Sequence, residues 1–168
     1  GTVIGLDNTQ SFIDIGNQQY GDSANLSLVC DNIFSYEPPH QFDLIMTART
    51  VQWLSDIPAA LQRFKSWLKP GGQLSILDYN HTAIEWNPAP PTSMQEFYHT
   101  FLKWRADAGM NNRVADEIAT LLQKQGFTDI ETINADLTYT KGDDHFQTNL
   151  GIWIKVAQSQ QMVIEGYI

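Results

Sequence analysis

Four groups with usable chemistry follow short apolar runs in this chain. Asp7 follows Val3-Ile4-Gly5-Leu6, and Asp31-Asn32 follow Leu26-Ser27-Leu28-Val29-Cys30. Thr47 through Trp53 close the run that starts at Phe42, and Asp78 through His81 follow Leu74-Ser75-Ile76-Leu77. Runs of this kind read as strands of a parallel sheet, where ligands bind beyond the carboxyl ends. A carboxylate at a strand end can accept two hydrogen bonds from vicinal ribose hydroxyls, and Asp7 is placed for that role. Asp31, one strand farther out, can accept an adenine amino proton while the neighbouring backbone reaches ring nitrogens. The competing use of both aspartates is local, because a strand-end Asp is also a good turn former or helix cap.

The elements that must hold these groups follow from apolar spacing. Residues 2–7 predict a strand, and Phe12, Ile13 and Ile15 predict a helix over 9–20, capped by Asn8 or Thr9 despite Gly16. Gly21-Asp22-Ser23 turns the chain into a second strand, and Pro38-Pro39 mark the loop before the third, at 42–47. Ile57, Ala60, Leu61, Phe64 and Leu68 share one face of a helix that Ser55 or Asp56 can cap, with Pro58 in its first turn. Pro70-Gly71-Gly72 stops that helix, and a strand over 73–78 follows. Two strands joined through a helix in this way pair in parallel.

The rhythm breaks over 79–92, where Pro88, Pro90 and Pro91 impose a loop or lid that also carries Tyr79, His81 and Trp86. Ser93 to Glu96 has capping-box spacing ahead of a helix to about 107, whose face holds Met94, Phe97, Tyr98, Phe101 and Leu102, widened by Trp104. A further helix is expected over 114–125, ended by Gly126, then a strand from Phe127 to Ile133. The tail from 147 to 165 fits both periods and is assigned to helix.

Size and charge narrow the function classes. A chain of 168 residues with 42% hydrophobic residues suits one domain over 1–168, with a helical insertion at about 79–112. Ten Lys plus Arg against 19 Asp plus Glu give a net charge of −9, which opposes a nucleic-acid partner and favours small-molecule chemistry. One cysteine, Cys30, forms no internal disulfide, and no apolar run has the length of a membrane span. A cytoplasmic protein without a membrane partner is expected. His81, His99 and His145 are too scattered to suggest a metal site, and the sequence leaves a homodimer open.

Val3-Ile4-Gly5-Leu6-Asp7, Cys30-Asp31-Asn32-Ile33, Phe42-Asp43-Leu44-Ile45 followed by Gln52-Trp53-Leu54, and Leu68-Lys69-Pro70-Gly71-Gly72 resemble successive motifs of the class I S-adenosylmethionine-dependent methyltransferases. The likeness spans about residues 2–133 and is similar to a subgroup with small-molecule or carboxylate acceptors, including trans-aconitate and malonyl-carrier-protein methyltransferases. It implies an α/β, Rossmann-like three-layer sandwich around a mostly parallel sheet, with S-adenosylmethionine as cofactor. It also implies residue roles. Asp7 would hold the ribose hydroxyls, Asn8 would lie against the adenine, Asp31, Asn32 and Ile33 would read the adenine edge, and Thr47 and Ala48 would pass the methionine portion. Gln52, Trp53, Tyr79, His81, Trp86, Tyr98 and Trp104 would face a small organic acceptor. No catalytic residue is assigned, since methyl transfer needs mostly alignment and exclusion of water.

The chain departs from the family pattern in one respect. No G-x-G-x-G occurs in the 168 residues, and the family's central first strand with its glycine-rich turn would precede residue 1. The resemblance therefore makes the chain a fragment, truncated at the first strand and at the last, with exposed strand edges expected. A non-catalytic binding or assembly module of the same fold is the alternative. A nicotinamide-dependent oxidoreductase ranks third, because it needs the same glycines.

Overall fold

The β-branched runs become strands because they pair, and they pair in parallel. In the computed structural model, which describes residues 1–158 and 160–168, β1 (Val3–Asp7) runs beside β2 (Leu26–Cys30), and β3 (Phe42–Ala48) beside β4 (Leu68–Leu77). The sequence predicts one mostly parallel sheet; the described residues form two ladders of two strands each, so β1 and β3 each pair along one edge only. Met46 is 73% exposed and Val3 54% as a result.

The described residues make two compact units, a strand-bearing one of residues 1–51 and 56–77 and a helical one of residues 52–55 and 78–168. In the first, α1 (Gln10–Tyr20) crosses from β1 to β2. Glycine in mid-helix costs roughly 1 kcal/mol relative to alanine. Here Gly16 makes room: a Cβ on it would lie 2.5 Å from the Leu28 side chain, and one on Gly5 2.6 Å from the same side chain. Neither Asn8 nor Thr9 caps α1 through its side chain; the Asp7 carboxylate accepts from Thr9 N at 2.8 Å instead.

Helix α2 (Ile57–Trp67) buries Ile57, Ala60, Leu61, Phe64 and Trp67, the face that the i, i+3, i+4, i+7 spacing predicts. Asp56, not Ser55, is its cap, accepting from Ala59 N at 3.0 Å. Arg63 on this helix donates to the Ile33 carbonyl at 2.9 Å, to the Tyr36 carbonyl and to Glu37, and so ties down the segment that follows β2. The expected stop at Pro70 is placed differently. β4 starts at Leu68, which pairs with Phe42, and Gln73 pairs with Leu44, so two steps along β3 match five along β4. Lys69-Pro70-Gly71-Gly72 is the resulting bulge, with Gly71 at φ +77°.

The helical unit contains α3 (Thr92–Asp107), α4 (Val114–Lys124), α5 (Phe146–Gln158) and the short α6 (Gln161–Ile164), with a 3-10 turn at 81–83. The capping box at Ser93 does not form: α3 begins at Thr92, its cap Pro91 two residues ahead of Ser93, with no side-chain cap bond. The strand expected from Phe127 to Ile133 is absent, since no neighbouring strand in the described residues pairs with it and Ile133 is 76% exposed. The tail expected to be helical over 147–165 is helical in two pieces, α5 and α6, with Gln160 in the left-handed region ahead of α6 and residue 159 outside the described residues. No helix is long and apolar enough to cross a membrane among the described residues.

Asp56→Ala is expected to lower stability by about 1 kcal/mol, the usual cost of losing an N-cap carboxylate, whereas Ser55→Ala leaves it unchanged. Urea unfolding followed by circular dichroism distinguishes the two; equal losses would contradict the assignment of the cap.

Candidate functional site

The parallel register sets the first cluster. Asp7 pairs with Cys30, and Asp31 N donates to the Asp7 carbonyl at 3.1 Å, so both aspartates stand at the same carboxyl end of the β1–β2 ladder. Asp7 Oδ1 accepts from Thr9 N, while Oδ2 takes no part in that bond. Asp31 Oδ1 accepts from Asn32 N at 2.6 Å and from Ser35 Oγ at 2.9 Å, which fixes its carboxylate plane. Asn32 Oδ1 accepts from Phe34 N at 2.9 Å, and the Ile33 carbonyl is held by Arg63. Asn8 is exposed and accepts from the Thr9 hydroxyl at 3.2 Å. Thr47 and Ala48 end β3, paired with Ile76 and Leu77. Thr47 Oγ1 is buried without a hydrogen-bond partner, which is costly unless a ligand or water meets it.

These groups fit a nucleoside-bearing cofactor. A carboxylate with an uncommitted oxygen suits ribose hydroxyls, the turn after β2 presents a second carboxylate, and Thr47 Oγ1 is an orphaned polar atom. The turn chemistry that Asp7 and Asp31 already perform is compatible with binding, because it orients each carboxylate.

The second cluster lies within the helical unit and brings all seven acceptor-facing candidates into one network of contacts. Its centre is Arg105, whose side chain is fully enclosed. Arg105 Nε donates to Asn112 Oδ1 at 2.8 Å and Nη2 donates to the Gln52 carbonyl at 2.7 Å; Nη1 makes no hydrogen bond. The guanidinium stacks over Trp53 at 4.6 Å and Phe101 at 5.5 Å, a cation–π arrangement that offsets part of its desolvation. The Gln52 side chain in turn meets His81, Oε1 to Nε2, at 2.5 Å. Tyr98 Oη donates to the His81 carbonyl at 2.5 Å, and His81 N donates to the Asn112 carbonyl at 2.8 Å. Tyr79 packs on the His81 ring, Trp86 on Trp153, and Trp153 on Tyr98 and Phe101. Trp104 packs at a tilt against Trp53 while its indole N–H donates to Glu165 at 2.7 Å.

Burial controls the charges here. Desolvation, with the Arg105 charge beside it, lowers the His81 pKa from its ordinary 6.5 to about 4, so the imidazole is neutral near pH 7. Desolvation raises the Tyr98 hydroxyl to about 12, and it lowers Arg105 to about 10 against the opposing attraction of Tyr98 and Asp78. Arg105 remains a cation at neutral pH.

Sequence spacing missed Arg105, Asn112 and Trp153. Arg105 had a signal: it stands four residues after Phe101 and seven after Tyr98, a charge on the apolar stripe of its helix. A charge on such a stripe is buried and partnered, or the helix does not dock.

Comparison with known proteins adds the following. Residues 1–74 match a family model described as a methyltransferase domain. Over 130 residues the chain is 29% identical to phosphoethanolamine N-methyltransferase 1 of Arabidopsis thaliana, covering 76% of this chain and 24% of that protein. It is 37% identical over 73 residues to malonyl-[acyl-carrier protein] O-methyltransferase of Prosthecochloris aestuarii, covering 44% of this chain and 27% of that protein. The chain thus spans about a quarter of the length of these relatives. Its fold resembles the apo crystal structure of the S-adenosylmethionine-dependent methyltransferase SibL, with TM-score 0.52 and 16% identity, over 83% of this chain and 40% of that one.

The buried neutral imidazole makes stability depend on pH. Above about pH 6.5 both folded and unfolded His81 are neutral and stability is full; as pH falls towards 4 the unfolded chain binds a proton that the folded chain does not, and stability drops. The difference in urea midpoint between wild type and His81→Asn is expected to shrink through this window. Parallel curves would show that His81 is not held neutral.

Proposed function

We propose that this chain, whose sequence and fold are those of a class I S-adenosylmethionine-dependent methyltransferase, serves methyl transfer to a small organic acceptor. The observation that carries the reading is the pair Asp7 and Asp31 at one carboxyl end of a parallel ladder, inside the segment that matches the family. Asp7 accepts from the ribose hydroxyls, Asp31 with the Asn32-Ile33 backbone reads the adenine edge, and Thr47 and Ala48 bound the methionine portion. S-adenosylmethionine, when bound, supplies an electrophilic methyl group on a sulfonium. The helical unit holds the acceptor by shape, aromatic contact and exclusion of water, and no general base is required of it for alignment to act.

The acceptor is a small molecule and not a nucleic acid, in keeping with the net charge of −9, and the protein works in the cytoplasm. A carboxylate acceptor would ask for a cation at the binding surface. The cationic side chain at the heart of the helical unit, Arg105, is fully enclosed and bonded to Asn112 and Gln52, which favours a neutral acceptor.

A second reading, a non-catalytic binding or assembly module, draws support from the two separate ladders that the described residues form. Calorimetry with S-adenosylhomocysteine, on the protein expressed in its full coding context, separates the two. Methyl transfer requires saturable heat that falls by about tenfold or more in affinity in Asp7→Ala, the scale of a charged hydrogen bond lost. A folded protein that releases no heat would leave the module reading standing.

A further inference from the structure

The Trp104 ring packs at a tilt against Trp53, with centroids 6.5 Å apart, and against Phe101, at 6.0 Å. Contacts of this kind hold an indole in place but do not choose how it is turned. The second side-chain torsion of a tryptophan is broad and roughly two-fold, so apolar packing alone allows the N–H edge to face either way. A directional bond must make the choice.

That bond comes from 61 positions away: Trp104 Nε1 donates to Glu165 Oε2 at 2.7 Å, while Gln161 donates to the other oxygen of the same carboxylate. The bonds from Gln161 and Trp104 hold the Glu165 carboxyl below its ordinary value, so at neutral pH the acceptor is an anion and a strong one. The segment that carries Glu165 is closed on itself. Gly166 at φ +78° follows α6, Gly166 N donates to the Val163 carbonyl at 3.1 Å, and Tyr167 N donates to the Met162 carbonyl at 2.7 Å. It is also docked. Met162 is buried, Tyr167 Oη donates to Asp107 Oδ2 at 2.7 Å, and the Lys103 ammonium, paired with Asp107, lies 5.3 Å from the centre of the Tyr167 ring. Lys103, Trp104 and Asp107 belong to one turn of α3, so the segment grips the helix with the tryptophan inside its hold. The contacts at Lys103 and Asp107 are exposed and add little stability. What they supply is a fixed place for Glu165.

We propose that residues 161–167 are a positioning clasp of the acceptor site, in which Glu165 selects the orientation of the Trp104 indole and Tyr167 keeps Glu165 within reach. Glu165 and Tyr167 are positioning residues: they act through Trp104. The indole N–H is already committed to Glu165, so Trp104 offers an acceptor a fixed aromatic surface and no hydrogen-bond donor. The word acceptor rests on the methyl-transfer reading; the clasp stands on the geometry of the helical unit.

The Trp104 indole N–H reports on the clasp directly, in ¹⁵N–¹H spectra of the wild-type protein and three variants. In Glu165→Leu its resonance is expected to move towards that of a solvent-exposed indole and its solvent exchange to rise about tenfold or more, with a changed pattern of nuclear Overhauser contacts between the Trp104 and Trp53 rings. Glu165→Gln keeps an oxygen acceptor in place and is expected to return exchange to within about threefold of wild type. Tyr167→Phe, with Glu165 intact, is expected to raise exchange by a smaller factor, about three. The amide resonances of α4 stay in place throughout. Should Glu165→Leu disturb them, the Tyr167→Phe comparison decides alone. A wild-type indole that exchanges like a free one, Leu and Gln variants that behave alike, or a Tyr167→Phe variant indistinguishable from wild type would each overturn the proposal. Calorimetry with S-adenosylhomocysteine on the same wild-type protein separates the two readings. No heat, with the indole behaving as stated, would remove methyl transfer and retain the clasp; heat with an indole indifferent to Glu165 would remove the clasp alone.

Discussion

A guanidinium sealed from water must find its acceptors in the protein, and in the helical unit that demand falls on groups far apart in sequence. Arg105 takes the backbone carbonyl of Gln52 and the side chain of Asn112, and it packs against the rings of both Trp53 and Phe101. Each partner then fixes another. Asn112 receives the His81 amide and donates to the Leu102 carbonyl, while Gln52 meets the His81 ring. Loss of one partner would leave a buried charge uncompensated, which generally costs more than the intact arrangement contributes. The network therefore specifies geometry more than it adds stability.

The strand-bearing unit obeys a different constraint, the pairing of backbone groups. The in-phase register of β1 with β2 sets Asp7 level with Cys30 and Asp31 one residue beyond it, at the same end of the ladder and without any direct bond between their carboxylates. Leu28 locks this arrangement from beneath, occupying the space that Gly5 and Gly16 leave free. A glycine that weakens a helix in isolation is here the condition for close approach of helix and strands. Arg63 adds a clamp on the loop after β2 through carbonyl acceptors, a more durable link than its ion pair with Glu37, whose side chain is 80% exposed.

Much of this was readable in the residues because it depends on local periodicity. The faces of α2 and α4, the strands at 26–30 and 42–48 and the proline-rich break all follow from apolar spacing and from what proline and glycine permit. The candidates from Gln52 to Trp104 came as a set from the family resemblance rather than from periodicity, and their mutual contacts were not legible in either. What was lost depends on tertiary context. Phe127 to Ile133 has the composition of a strand, but a strand exists only where another chain segment accepts its hydrogen bonds. Arg105 could be seen as an anomaly on an apolar face, yet its acceptor at Gln52 lies 53 positions away in sequence. The cap of α3 differs because Pro91 fixes the entry backbone two residues before Ser93.

The bulge at Lys69 to Gly72 has a further effect. Side chains alternate along a strand, so residues an odd number of positions apart ordinarily face opposite ways. Leu68 and Gln73 are five apart and yet pair with Phe42 and Leu44, which face the same way. The Pro-Gly-Gly segment thus works as a phase shifter between α2 and the rest of β4. It turns Leu74 and Ile76, which pair with Ile45 and Thr47, to the face opposite the one that Leu68 and Phe42 share, so a single strand delivers apolar side chains to both faces of its ladder.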